Sequence, residues 1–239
     1  MTEDDLTELA EATWPPAATH RAGPWLIREG QGGGQRVSAA SPAKDWTPDD
    51  IPAAEAAMRA LGQSPLFVLR PSETALDQAL SARGYTYHDP VVAYAAPTAT
   101  LADPPPAFLT SFPHWPPLAV AAQLWAEGGI GPARLAVMHR VQGPKTAILG
   151  RAGDRASGIA FTAIYRNVAM LHALEVAPDQ RRKGCAHNIL RAAALWARDQ
   201  GADTLALLVT ERNAAARALY ASLNMAIVGQ YHYRKSRSE

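Results

Sequence analysis

Residues 171–186 read LHALEVAPDQRRKGCA. Leu171 to Val176 is an apolar run fit for a strand, and Pro178 stops it. A basic, glycine-containing loop follows, and Ala186, Leu190, Ala193 and Ala197 then fall on one face of a helix expected over about Gly184 to Asp199. A strand that feeds such a loop at a helix N-terminus aims backbone amides and the positive end of the helix dipole at one point, which suits phosphate oxygens. Gly184 lets the backbone approach an anion, Ala186 keeps the first helical turn thin, and Arg181, Arg182 and Lys183 add long-range attraction. The stretch lacks the Gly-Lys-Ser/Thr ending of a Walker loop, and it is not G-x-G-x-x-G.

Working outward, 146–151, 158–165 and 168–176 read as three consecutive strands, preceded by helices at 118–126 and 132–140. Downstream lie a buried-type strand at 204–209, a helix at 213–223 and a last strand at 225–233. Upstream, 97–117 holds Pro97, Pro104, Pro105, Pro106, Pro113, Pro116 and Pro117, where neither a helix nor a central strand is expected to persist. Before that seam the pattern predicts helices at 2–12, 49–61 and 73–83. It predicts strands at 25–28, 36–40, 66–69 and 85–94, with Gly30 to Gly34 as a hairpin turn. Residues 75–94 and 214–233 align without a gap, each as helix, tight turn and long strand, with Gly84-Tyr85 in one turn and Asn224-Met225 in the other. The expected organisation is therefore 1–97, a proline-rich linker at 98–117, and 118–239.

Arg181, Gly184 and Ala186 form R-x-x-G-x-A after L-x-V-x-P at Leu174, Val176 and Pro178. Together they resemble the acyl-CoA-binding motif of the GNAT superfamily of N-acetyltransferases. Asn213, Ala216, Leu219 and Tyr220 form N-x-x-A-x-x-L-Y, similar to that family's second signature; Asn224-Met225 stands where the family often has Gly-Phe. The resemblance covers about 115–239. It implies an α/β chain of two tandem GNAT-like halves, each a mixed, mostly antiparallel sheet flanked by helices, the first half degenerate. Tandem members such as mycothiol acetyltransferases are similar in arrangement.

The resemblance also implies acetyl-CoA as cosubstrate and a primary amine, on a small molecule or a protein, as acceptor. Pantetheine would pair with the backbone of Leu174, Glu175 and Val176. The amides of Arg182, Lys183, Gly184, Cys185, Ala186 and His187, with Arg181 beside them, would hold the pyrophosphate. Asn213 and Tyr220 would face the sulfur, with Tyr220 protonating the departing thiolate and the amine attacking the thioester directly. LHALEV is similar to the corresponding strand of arylalkylamine N-acetyltransferases, which makes His172 the candidate base, although Met170 stands where those enzymes carry a second histidine. Glu175 is the alternative, on the opposite face of the strand unless a bulge intervenes. A non-catalytic acyl-CoA-binding module is the other reading.

The composition, 48% hydrophobic and 19% charged over 239 residues, excludes a disordered or fibrous chain. No apolar run reaches the roughly 20 residues of a membrane span, and Met1 to Asp5 is acidic, unlike a signal peptide. With one cysteine, Cys185, and no internal disulfide, a cytoplasmic protein is expected. Cys185 reads as a small apolar filler rather than a nucleophile. The seven histidines lack metal-ligand spacing, so no metal is expected, and neither nucleic acid nor membrane is expected as a partner. The net charge of +1 divides into −6 for 1–97 (7 Lys+Arg, 13 Asp+Glu) and +7 for 98–239 (16 and 9). The acidic half would steer a cationic acceptor toward the site. Tyr231, His232 and Tyr233 alternate faces of the last strand as structural residues, with lining of an acceptor pocket as the other reading.

Overall fold

Thr2 and Asp5 form a reciprocal capping box, so the first helix, α1, runs Glu3–Thr13 and stops before Pro15 and Pro16. The computed structural model describes residues 1–237. Strands β1 (Ala18–Ala22), β2 (Trp25–Glu29), β3 (Ala40–Pro42) and β4 (Leu66–Leu69) follow, with α2 (Ile51–Ala60) before β4. Then come α3 (Thr74–Ala82), β5 (Thr86–Pro97), α4 (Thr98–Leu101) and β6 (Ser111–His114). The second half adds α5 (Ala119–Glu127), α6 (Pro132–Arg140), β7 (Lys145–Ala152), β8 (Arg155–Tyr165) and β9 (Val168–Val176). It ends with α7 (Cys185–Asp199), β10 (Thr204–Thr210), α8 (Ala214–Ser222) and β11 (Ala226–Lys235). The α/β class and the mixed, mostly antiparallel sheet are as the sequence implies.

Three local expectations change. Residues 36–40 are not a strand: Gln35–Val37 is a 3-10 turn, and β3 begins only at Ala40. The run Gly30 to Gly34 is pressed onto α6, where a Cβ at Gly33 would lie 2.6 Å from Val137 Cγ2. The proline seam contains the single turn α4 and the strand β6, which is tolerated because β6 is the sheet edge and pairs only with β7.

The two matching endings show why they align. After α3, Gly84 takes φ +82° and Tyr85 N donates to the Leu80 carbonyl; after α8, Asn224 takes φ +54° and Met225 N donates to the Tyr220 carbonyl. Both are left-handed caps of one kind, and Asn is the residue that best replaces Gly there. Met225 is buried in the second core, so the departure from Gly-Phe preserves the turn.

The endings then change places. The strand order is β1-β2-β3-β4-β11-β5-β10-β9-β8-β7-β6 in one continuous sheet. The last strand of the first half, β5, lies antiparallel to β10 of the second, and β11 returns to β4 of the first. β5 and β11 pair with each other at the centre. Asp77 on α3 secures the exchange. It accepts from Arg234 Nε (2.7 Å) and Nη2 (2.8 Å) and from His232 Nε2 (2.7 Å), both residues of β11. Helices α7 and α8 cover one face with the core around Leu190, Leu207 and Tyr220, while α1, α5 and α6 cover the other around Trp125 and Phe161.

The Arg234 guanidinium, against some opposing burial and with help from His232, holds the Asp77 carboxyl at about 2, below its ordinary 3.8. A depressed folded value means stability that is present above pH 4 and lost as pH falls toward 2. Asp77→Asn is therefore expected to lower stability by about 1 kcal/mol at neutral pH, after allowance for solvent screening. The gap between variant and parent, read from urea midpoints, should close between pH 4 and pH 2.

Candidate functional site

Strands β9 and β10 are parallel and pair only from Val168↔Thr204 to Leu171↔Leu207. Beyond that point β9 stays with β8 as far as Val176, and β10 stays with β5 as far as Thr210. The two diverge, leaving a wedge with free strand edges. A cleft of about 520 Å³ occupies it, bordered by Leu174, Leu207, Asn213 and Tyr220.

The cause of the divergence is a bulge in β9. The register steps from Phe161↔His172 to Ile159↔Glu175, so one extra residue lies opposite Ala160. Ala173 takes φ +51° there, and its carbonyl accepts from Trp125 Nε1 on α5 at 2.8 Å. The bulge resets alternation: His172 and Glu175 share the face that Phe161 and Ile159 occupy.

At the mouth of the wedge, Arg182 and Gly184 adopt positive φ (+63° and +80°), turning the loop into the first turn of α7. Among the described residues, the backbone N–H groups from Arg182 through His187 have no protein acceptor. Arg181 donates to the Val176 carbonyl (Nε, 3.1 Å) and pairs with Glu175 (3.2 Å), so it lies along the wedge rim. The donor set, six consecutive amides with Arg181, Arg182 and Lys183 around them, fits a pyrophosphate. His187 meets Ser222 Oγ at 3.3 Å, linking α7 to α8. Asn213 caps α8 by accepting from Ala216 N (3.1 Å) and faces the cleft.

Cys185 contributes its amide but not its thiol. The side chain is buried against Gly150 and Gly158, where a Cβ on Gly158 would lie 3.0 Å from Sγ. These glycines let α7 approach the sheet closely. Burial pushes the thiol up to about 11, far from a thiolate at neutral pH. Tyr220 is buried at the cleft wall, its ring 5.5 Å from that of Tyr94, and burial raises its hydroxyl to about 12. Among the described residues that hydroxyl has no hydrogen-bond partner.

His172 is 6% exposed and stacked on Trp14 (ring centroids 5.0 Å). Arg36 Nη1 lies 3.0 Å from Nδ1, and since a guanidinium only donates, Nδ1 carries the lone pair. Nε2–H then donates to Thr13 Oγ1 (2.9 Å), which donates to the Leu9 carbonyl (2.7 Å). Burial first, and the Arg36 charge second, hold the imidazole well below its ordinary range. The ring is neutral and its basic nitrogen is occupied.

Most of the rest of the cleft comes from the first half, in segments the sequence did not nominate, and Tyr231 comes from the last strand. Trp14, Arg36, Asp89 and Tyr231 reach it from the first half and from exchanged β11, with Arg134 at the rim. Asp89 is paired to Arg212 (3.2 Å). The acidity of the first half is thus not carried into the cleft. Arg36 carried no sequence signal beyond adjoining the glycine run that positions it.

Residues 110–225 match the Acetyltransferase (GNAT) family model. Residues 110–225 form a GNAT-family domain. The GNAT family is one of acyl-CoA-dependent N-acetyltransferases. The whole chain is similar to the uncharacterized N-acetyltransferase YobR of Bacillus subtilis (strain 168), 24% identical over 246 residues, which covers 97% of this chain and 98% of that one. Its fold is similar to a GCN5-related N-acetyltransferase from Kribbella flavida (TM-score 0.74, 16% identity, 98% and 95% of the two chains). It is also similar to a tandem GNAT protein from the clavulanic acid biosynthesis pathway (TM-score 0.60, 14% identity, 85% and 75%). Among the described residues, no helix is long and apolar enough to cross a membrane, and no group of three metal-ligating side chains assembles.

Cys185 supplies a direct check on the packing at the mouth of the wedge. Thiol alkylation of the native protein is expected to track unfolding, rising with urea in parallel with the loss of tertiary signal. Rapid labelling in the folded state would place the thiol in the site.

Proposed function

We propose that the chain transfers an acetyl group from acetyl-CoA to a primary amine, with the acyl chain threaded between β9 and β10. The observation that carries this reading is the coincidence of two things: a pair of strands held apart by the Ala173 bulge, and six unpartnered amides at the mouth of the same gap. The free edges of Leu174, Glu175 and Val176 would take pantetheine as an added strand. The Arg182 to His187 amides would take the pyrophosphate.

Acetyl transfer forms a C–N bond and breaks the C–S bond. Tyr220 gives its proton to the thiolate and recovers one from solvent. At a value near 12 its hydroxyl is fully protonated at neutral pH and is held at the cleft wall with no competing acceptor. The ammonium proton must leave first, because only the free amine is nucleophilic. In this reading the proton goes through water to Glu175. The bulge turns that side chain to the His172 face, beside Gly128 in the turn after α5. His172 takes a different part: with Nδ1 bound to Arg36 and Nε2 bound to Thr13, it is a positioning residue that fixes the guanidinium in the cleft.

Acetyl-CoA at 100 times its Kd should stabilise the protein by about 2.7 kcal/mol, and CoA should do so comparably while ATP does not. Failure of both thioester and CoA to shift the melting temperature would overturn the reading. Tyr220→Phe should lower kcat by a factor on the order of 10² with acetyl-CoA binding retained; a parent protein that binds acetyl-CoA but turns over no amine would be a binding module instead. Glu175→Gln should lower kcat/KM by a factor on the order of 10² with acetyl-CoA binding retained. His172→Gln should act mainly on acceptor KM, and a kcat loss larger than that of Glu175→Gln would return the base role to His172.

A further inference from the structure

Among the described residues Arg36 is a guanidinium without a counter-ion. Two other arginines border the same side of the sheet, and both are neutralised: Arg28 by Glu11, and Arg70 by Asp4 and Glu73. Among the described residues no carboxylate lies within ion-pairing distance of Arg36; its recorded partner is the neutral His172. Its Nε is fully shielded from solvent and has no hydrogen-bond partner. Among the described residues the Tyr231 hydroxyl is equally shielded and makes no hydrogen bond of normal length, and with the Tyr233 hydroxyl it stands beside that guanidinium. Two buried polar groups left open side by side, one of them carrying a full positive charge, are costly unless a ligand completes them. The complement of a guanidinium N–H and a phenol O–H is an oxyanion.

Their place says whose oxyanion. Arg36 and Tyr231 belong to the walls of two spaces at once. One is the cleft at the strand wedge. The other is a cavity of about 660 Å³ beneath α1, formed by the sheet face of β2, β3, β4 and β11 and lined by Leu6, Leu26, Val68 and Val228. A molecule whose anionic group rests on Arg36 and Tyr231 can present an amine to the wedge and a larger apolar portion to the cavity. We propose that the acceptor is an amino acid, its carboxylate held by Arg36 and Tyr231, its amine directed to the β9–β10 wedge and its apolar side chain in the cavity under α1. This rests on the acetyltransferase reading above and narrows its acceptor from any primary amine to an amine that carries a carboxylate and an apolar body. Around the cleft the charges are Arg36, Arg134 and the Asp89–Arg212 pair, and the cavity adds Arg28 and Arg70 with Glu3, Glu11 and Glu73, so the side chains in the walls of the two spaces carry one positive charge in excess.

Turnover of L-leucine, L-methionine and L-phenylalanine, read by free-thiol release from acetyl-CoA, should exceed that of the corresponding carboxamides and decarboxylated amines by about 10²-fold in kcat/KM. Arg36→Met should bring the acid-to-amide ratio close to 1, chiefly through the KM of the acid. Tyr231→Phe should reduce that ratio less. Melting with acetyl-CoA must still shift in both variants, which separates loss of the acceptor subsite from loss of the fold or of the acyl-donor site. A second arm needs no turnover and no variant. With CoA present, 4-methylpentanoate should raise the melting temperature of the parent protein and 4-methylpentanamide should not.

Equal turnover of acids and amides, or protection by the amide as well as the acid, would overturn the proposal while leaving acetyl transfer standing. Absence of any shift with acetyl-CoA would overturn the acetyltransferase reading itself. Protection by 4-methylpentanoate would then still support the anion subsite, and its absence would count against it.

Discussion

The antiparallel pairing of β5 with β11 is the contact on which the molecule depends. Each strand ends one half of the chain, and each leaves that half to join the other's sheet. Two sheets that would otherwise expose an edge apiece become a single sheet, so both edges are removed at once. The helix before each strand stays on its own side of the chain order, and identical left-handed caps at Gly84 and Asn224 feed the strands across. The Asp77 carboxylate holds the second crossing by accepting from Arg234 and His232 together.

The site inherits its composition from that crossing. The wedge between β9 and β10 belongs to the second half, and so do the amides at the start of α7. Tyr231 comes from exchanged β11, Asp89 from the irregular start of β5, and Arg36 from the turn after the glycine run. Residues 110–225 standing alone would keep the β9–β10 side of the cleft and lack most of the other wall. The first half therefore completes the cleft: it supplies the Arg36 guanidinium and, with exchanged β11, the cavity under α1 that adjoins it.

His172 shows how far a motif can be carried. The string LHALEV puts a histidine on the expected strand, and the structure puts that histidine in the wall of the cleft. What a string cannot state is which nitrogen is free. Thr13 and Arg36, 159 and 136 residues away in sequence, occupy both. The same strand hides the bulge at Ala173, since an alanine in the left-handed region has no sequence mark; it is held there by the distant Trp125 indole. Glu175 changes face as a result.

The features legible in the chain alone are local: the order of strands and helices, the basic, glycine-containing turn from Arg181 to His187, the capped α8 with Asn213 and Tyr220, and the burial of Cys185. Hydrophobic period, glycine and proline placement and capping chemistry act over a few residues, so a few residues suffice to read them. Tertiary structure alone decided the exchange of β5 and β11, the bulge that opens the wedge, and the unpaired Arg36 at the junction of two cavities. A strand's alternation says which face is buried but not which neighbour it pairs with. Among the described residues, Arg36 is left without a partner because the fold has brought the nearby carboxylates, Glu11 and Asp89, to Arg28 and Arg212.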